Sequence, residues 1–367
     1  MGLAAGKEER IPYLDGLRGY SILAVLLDHT LTTDHWLSRH PYLCILIADA
    51  TLGVRVFFVL SGFLITTLLF HEEEKKGRIS IRGFYERRIA RIFPAFYLYI
   101  GVIAALAAFR LIQVPLASFL AAGSFTWNVA YFWRLGGGVQ DNSKVFGHIW
   151  TLSIEEQFYL VWPSCLVFFG RRWSRRLAVA VAILLPLTRL IVFFFIHSTK
   201  IRNSLLYRTA QDEIVWGVLA AFLVQGGAIE RLRNFRYRTA WLIGSLLVIF
   251  VLCPALGSIK VSGMEVWLVP TLQGVAIVSF IFWLLSGAGG IVRNVLESWP
   301  AVQLGLLSYS LYIWQQPFTQ WSGLSFIPFP LNVLLPVVVA ILCYRLVEMP
   351  LRRRIRLWFA QGTPAHT

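Results

Sequence analysis

Residues 45–70 read ILIADATLGVRVFFVLSGFLITTLLF, and the chain passes at once into HEEEKKGRISIRGFYERRIAR, residues 71–91. The first stretch is an apolar run of bilayer length, interrupted by Asp49 and Arg55. A helix needs roughly 20 such residues to cross a hydrocarbon core about 30 Å thick. The second stretch is a dense, basic connection. This alternation recurs along the chain, with further apolar runs at 15–33, 92–112, 115–134, 149–169, 177–197, 209–226, 240–257, 266–286, 301–321 and 331–349.

Composition agrees with that reading. Of 367 residues, 57% are hydrophobic and only 14% charged, against about a quarter charged in ordinary soluble domains. A soluble globular enzyme, a disordered tail and a collagen are excluded. The net charge of +15 sits in short clusters between apolar runs, the pattern that the positive-inside rule produces. No basic domain or recognition motif points to nucleic acid. Cys44, Cys165, Cys253 and Cys343 are scattered with no CxxC pair, so neither a disulfide framework nor a metal cluster is expected.

The first run follows Lys7 and Arg10 as a signal peptide would. It carries Asp15, Arg18, Asp28 and His29, however, and no small-residue cleavage site follows; it reads as a retained helix. The most basic connections are 71–91, 171–176 (RRWSRR), 231–238 (RLRNFRYR) and 352–356 (RRRIR), and all four should face the cytoplasm. They do so together only if 115–134 dips in or lies at the interface. Pro115, Gly123 and Asn128, with Trp127, Tyr131, Phe132 and Trp133 at the aromatic-belt level, suit such a piece.

The expectation is an all-α, polytopic membrane helix bundle of about ten transmembrane helices with both termini cytoplasmic. Residues 1–12 form a tail, 13–350 one membrane domain and 351–367 a basic cytoplasmic tail. A long outer connection, about 113–148, includes LGGGVQDNSK.

Ionisable residues inside spans are costly and mark candidate function. Arg18 and His29 are eleven residues apart, which puts them within about 20° on one helix face and roughly 16 Å apart along the axis. Asp15 lies within about 40° of that stripe. Taken alone, this helix suits either a functional pair or a core histidine with a snorkelling arginine. In the span at 149–169, His148, Thr151, Glu155 and Tyr159 follow helical spacing on one side. Glu156 is turned by about 100°, so the two carboxylates are not expected to share a partner. Glu155 is expected at a depth comparable with His29, where a carboxylate would orient the imidazole; a structural ion pair is the alternative.

Ser61-Gly62 suggests close helix packing, and a nucleophilic Ser61 would need a base within hydrogen-bond reach. Arg87, Arg88 and Arg91 share one helical sector at the inner surface. Arginine forks suit phosphates, and a plain positive-inside anchor to lipid headgroups is the competing reading.

Together these phrases resemble one family: Tyr13-Leu-Asp15-Gly-Leu-Arg18-Gly with His29, Phe57-Phe-Val-Leu-Ser61-Gly62-Phe63-Leu, Phe84-Tyr-Glu-Arg87-Arg88-Ile-Ala-Arg91-Ile-Phe-Pro94, His148-Ile-Trp-Thr-Leu-Ser-Ile-Glu155-Glu156-Gln157-Phe-Tyr159, and Leu306-Leu-Ser308-Tyr309-Ser-Leu-Tyr312-Ile-Trp314. They look like the integral-membrane acyltransferase-3 family, which includes bacterial O-acetyltransferases of envelope polysaccharides. The blocks occur in the family's order across about residues 11–350.

The resemblance implies acyl-CoA, with acetyl as the acyl group, as donor cosubstrate and a saccharide or similar hydroxyl as acceptor, with no permanently bound cofactor, in a multi-pass cell-membrane enzyme. It implies His29 as the essential histidine, Arg18 as its helix partner, Arg87, Arg88 and Arg91 as the CoA phosphate site, and Glu155 as the motif glutamate. Many relatives have a histidine after the tryptophan of the last block, where this chain has Gln315-Gln316-Pro317, so no catalytic role carries over to that position. Some relatives carry an extra esterase-like domain, which a chain ending at Thr367 is expected to lack.

The expected chemistry is acyl transfer with His29 as general base, Glu155 supporting the imidazolium, and Arg18 or Arg55 stabilising oxyanion charge. Asp15, Ser61, His148 and Tyr159 would support the substrate, and a route through an acyl-histidine stays open. The rival class is a transporter or flippase without chemistry, for which repeated halves with matching broken helices are not evident.

Overall fold

The structure is a computed structural model and describes residues 10–31, 47–130, 145–196, 211–259, 263–287, 289–319 and 327–361. Among the described residues the regular elements are helices, with no strand. Tyr131, Phe132, Trp133, the LGGGVQDNSK stretch, His35, His40, His197, His366 and Cys44 lie outside the described residues.

Helix α1 spans Pro12–Leu31. Helix α2, Ala50–Lys76, starts where the Asp49 carboxylate accepts the Leu52 N–H at 2.9 Å and stops at Gly77, whose φ of 70° is left-handed; these are the usual N-cap and C-cap devices. Helix α3, Ile81–Ala108, is capped by Ser80, which accepts the Gly83 N–H at 3.1 Å. Helix α4 is Leu116–Gly123. Helix α5, Ile149–Phe195, is two limbs broken at Gly170, where φ 67° and ψ 171° leave the helical region. Then follow α6 Glu213–Gln225, α7 Arg238–Ser258, α8 Val269–Leu285, α9 Trp299–Trp314 and α10 Leu331–Phe359.

Helices α2, α3, α5, α7 and α10 are long and apolar enough to cross a membrane, and α6 and α8 are shorter apolar helices. The molecule is an all-α membrane bundle. Counting the two limbs of α5 separately, its rods follow the expected spans in order, and the segment at 115–134 is the exception. Helix α4 has eight residues, about 12 Å of rise, too little to cross. The turn after it leans on α5 through a reciprocal amide pair between Asn128 and Gln157 at 3.0 and 3.1 Å, and Gln157 also donates to the Phe125 carbonyl at 2.9 Å.

Close helix contacts hold the bundle centre. A Cβ placed on Gly62 of α2 would lie 1.9 Å from the Ile214 carbonyl oxygen of α6, and one on Gly217 would lie 2.0 Å from that of Val59. Similarly, Gly305 of α9 abuts the Asp15 carbonyl of α1. Small residues at such crossings let backbones meet, the usual basis of helix association in a bilayer.

Charged contacts collect the basic connections at one end. Arg87 pairs with Glu72 at 2.8 Å, Arg171 with Glu73 and, at 3.2 Å, with Glu74, and Gln225 donates to Glu74 at 2.6 Å. Glu348 of α10 is within electrostatic reach of Arg91 and Arg352. A separate buried network ties α2, α5, α6 and α8. In it Arg55 pairs with Glu213 at 3.0 Å and donates to Gln273, while Arg189 pairs with Asp212 at 2.6 Å. Thr271 and Trp216 also donate to Asp212, at 2.7 and 2.8 Å.

Candidate active site

Helices α1, α2, α3, α5 and α9 enclose a cavity of about 850 Å³, counting its open mouth. Much of its wall is apolar, from Phe57, Leu60, Leu64 and Ile92, but three guanidinium groups and two carboxylates face in: Arg18, Arg88, Arg91, Glu155 and Glu156.

Helix geometry selects which side chains arrive there. On α3, Arg88 and Arg91 are i,i+3 and share a face. Arg87 is one residue round and turns to Glu72 instead. On α5, Thr151, Glu155 and Tyr159 are one turn apart and all line the cavity. Ser61 of α2 donates its hydroxyl to the Glu155 carboxylate and lies 3.0 Å from the Tyr159 hydroxyl. The Arg88 guanidinium sits 5.0 Å from the Tyr159 ring centroid and 5.6 Å from that of Phe84, within cation–π range. Glu155 is in the field of Arg18, Arg88 and Arg91 together, and Arg18 also feels Asp15. Arg91 repels both Arg18 and Arg88, while Asp15 and Glu348 add negative charge beside Arg18 and Arg91.

A second polar tier lies further along α1. There His29 has the Gln315 amide and the His148 imidazole as neighbours. His148 is buried among rings, with Tyr99 and Tyr312 edge-on at 5.6 and 5.5 Å. The Tyr312 hydroxyl is 2.5 Å from Thr151 Oγ1 and 3.0 Å from the His148 carbonyl oxygen. Tyr312 and Thr151 also line the cavity, whereas neither histidine does. The tyrosine therefore stands between the arginine-lined cavity and the imidazoles.

Four expectations need correction. The α5 residue at the level of His29 is His148, not Glu155, because α5 places Glu155 seven residues on, about 10 Å along the axis, beside Ser61. Arg87 does not join Arg88 and Arg91, since Glu72 at the end of α2 captures it; the third guanidinium of the cavity is Arg18. Arg55 does not reach the cavity, because Glu213 and Gln273 hold it on the far side of α2. Glu156 does line the cavity, and both glutamates reach Arg88, since the long guanidinium spans the sector between them.

Asp15 stays beside Arg18. Sequence reasoning left Ser308, Tyr312 and Gln315 without roles, although the first two stand in a quoted block.

A family model described as an acyltransferase domain matches residues 11–346. The chain is 26% identical over 366 residues to the O-acetyltransferase OatA of Staphylococcus aureus, covering 94% of this chain and 57% of that relative. It is 26% identical over 367 residues to the peptidoglycan O-acetyltransferase OatA of Listeria monocytogenes, covering 94% of this chain and 56% of the relative. The chain thus spans a little over half the length of these curated relatives. No solved structure gives a significant match.

Proposed function

Since the chain belongs to the integral-membrane acyltransferase-3 family, we propose that it moves an acetyl group from cytoplasmic acetyl-CoA to a hydroxyl of an envelope saccharide. The relatives' names supply the acyl group and the acceptor class, with peptidoglycan the first candidate. The observation that carries the donor half is the cavity in which Arg18, Arg88 and Arg91 meet near the basic end of the bundle. Guanidinium forks bind phosphate oxygens in pairs, and the apolar wall beyond them suits the uncharged thioester arm.

His29 is the general base of the proposal. It takes the proton of the acceptor hydroxyl as that oxygen attacks the thioester carbonyl. The new C–O bond forms, the C–S bond breaks, and the proton passes on to the departing CoA thiolate. Imidazole suits this work near neutral pH. For the thioester to meet His29, the Tyr312–Thr151 contact between cavity and imidazole must part. Glu155, held by Ser61 and facing three arginines, orders the guanidinium groups and does not touch His29. The proposed setting is a cell membrane crossed many times by residues 13–350, with the basic connections in the cytoplasm and no resident cofactor.

The test is direct. Purified protein in detergent or nanodiscs, given radiolabelled acetyl-CoA and muropeptide or oligosaccharide acceptors, is expected to release CoA and yield a base-labile acetyl ester. Release of neither CoA nor ester, with folded protein, overturns the reading.

A further inference from the structure

Gln315 ends α9 with its side chain fully buried. Both atoms of its amide are shut off from solvent and closed in no aligned hydrogen bond. A buried primary amide left in that state forfeits the interactions it had in water. Something must use it, and the group it faces is the imidazole of His29, whose Nδ1 is likewise buried without a partner.

The place expected for a carboxylate beside His29 is thus filled by a neutral amide. Glu155 is engaged with Ser61 in the cavity. Among the described residues, His148 at the start of α5 is the titratable group coupled to His29, and Asp28 precedes it on α1. Helix α9 and the start of α10 bring no charged residue to this level. His148 is enclosed by Tyr99 and Tyr312, and its two ring nitrogens are likewise buried without a hydrogen-bond partner.

We propose that Gln315 is the positioning residue of His29, its amide fixing the ring's orientation and tautomer so that one nitrogen is presented to the acceptor hydroxyl. The inference rests on the reading of His29 as general base. A carboxylate at that position would favour imidazolium more strongly than an amide does.

The experiment uses the full chain with Gln315→Met and Gln315→Glu. Acetyl transfer is measured across pH, and in parallel each protein is treated with diethyl pyrocarbonate and modification of the His29 peptide is followed by mass spectrometry. Gln315→Met is expected to lower kcat by about tenfold or more, the worth of one oriented hydrogen bond, with KM for acetyl-CoA unchanged. Gln315→Glu is expected to move both the pH–rate profile and the His29 modification profile to higher pH, since the new carboxylate stabilises the imidazolium.

A His29 modification profile in Gln315→Glu that superimposes on the parent's overturns the proposal, as does parental kcat in Gln315→Met. The second criterion holds if the glutamate variant does not fold. A displaced modification profile in protein that transfers no acetyl leaves the contact standing and removes the acyl-transfer reading instead.

Discussion

Ser61 donates its hydroxyl to Glu155, 94 residues later in the chain, while its neighbour Gly62 brings the α2 backbone against Ile214 of α6. One helix face serves the cavity and the adjacent one serves packing, so the two residues should fail in different ways. Ser61→Ala is expected to leave a folded protein with transfer reduced on the order of tenfold to a hundredfold, because a hydrogen bond to a charged group is worth roughly 1.5–3 kcal/mol. Gly62→Ala forces a Cβ into a carbonyl oxygen and is expected to lose folded protein. Fluorescence-detected size exclusion beside the acetyl assay separates the outcomes; an active, stable Gly62→Ala would refute the packing account.

Arg88→Ala and Arg91→Ala should each raise KM for acetyl-CoA by tenfold or more on the same scale. Arg87→Ala should not, since its guanidinium is held by Glu72 at 2.8 Å. Initial rates against acetyl-CoA concentration decide this. Equal KM changes in all three variants would restore the single-sector reading of the arginine run.

His29→Ala and His29→Gln should both abolish transfer with membrane insertion intact. The glutamine keeps hydrogen-bonding capacity but cannot accept a proton usefully. Substantial turnover in His29→Gln would reduce His29 to a positioning role.

Arg55→Met should destabilise the bundle by roughly 3–5 kcal/mol, because it leaves the fully buried Glu213 without its salt-bridge partner. The double variant Arg55→Met/Glu213→Leu should recover most of that loss, as exchanging a buried pair for apolar groups is close to neutral. Thermal midpoints in detergent measure both. If the single variant is as stable as the parent but inactive, Arg55 belongs to the chemistry after all.

The basic connection at 171–176 should be cytoplasmic. Arg175 is exposed there, whereas Ser174 is buried and donates to the Cys165 carbonyl at 3.0 Å, so Arg175→Cys is the useful probe. It should resist an impermeant maleimide added to intact cells and react once they are opened. Ready labelling from outside would place the loop on the other face and require the 115–134 segment to cross.

What the sequence determined by itself was set by solvent. Apolar runs of bilayer length and basic links between them specify an all-α membrane bundle, because a helix of that length satisfies its backbone internally in hydrocarbon. The same pattern singled out Pro115, Gly123 and Asn128 as unfit for a span. Helical spacing also placed Thr151, Glu155 and Tyr159 on one face, since 3.6 residues per turn is a local property.

Tertiary structure alone decided what those faces meet. Arg55, Arg87 and Arg88 look alike in the sequence, yet Glu213 takes the first, Glu72 the second, and the cavity the third. Depth along α5 made His148 rather than Glu155 the neighbour of His29, and the end of α9 brought Gln315 to its ring. Partner choice among buried polar groups depends on how antiparallel rods register against one another. That register is fixed by contacts such as Gly62 on Ile214 and Gly305 on Asp15, which the periodicity of a single helix does not encode.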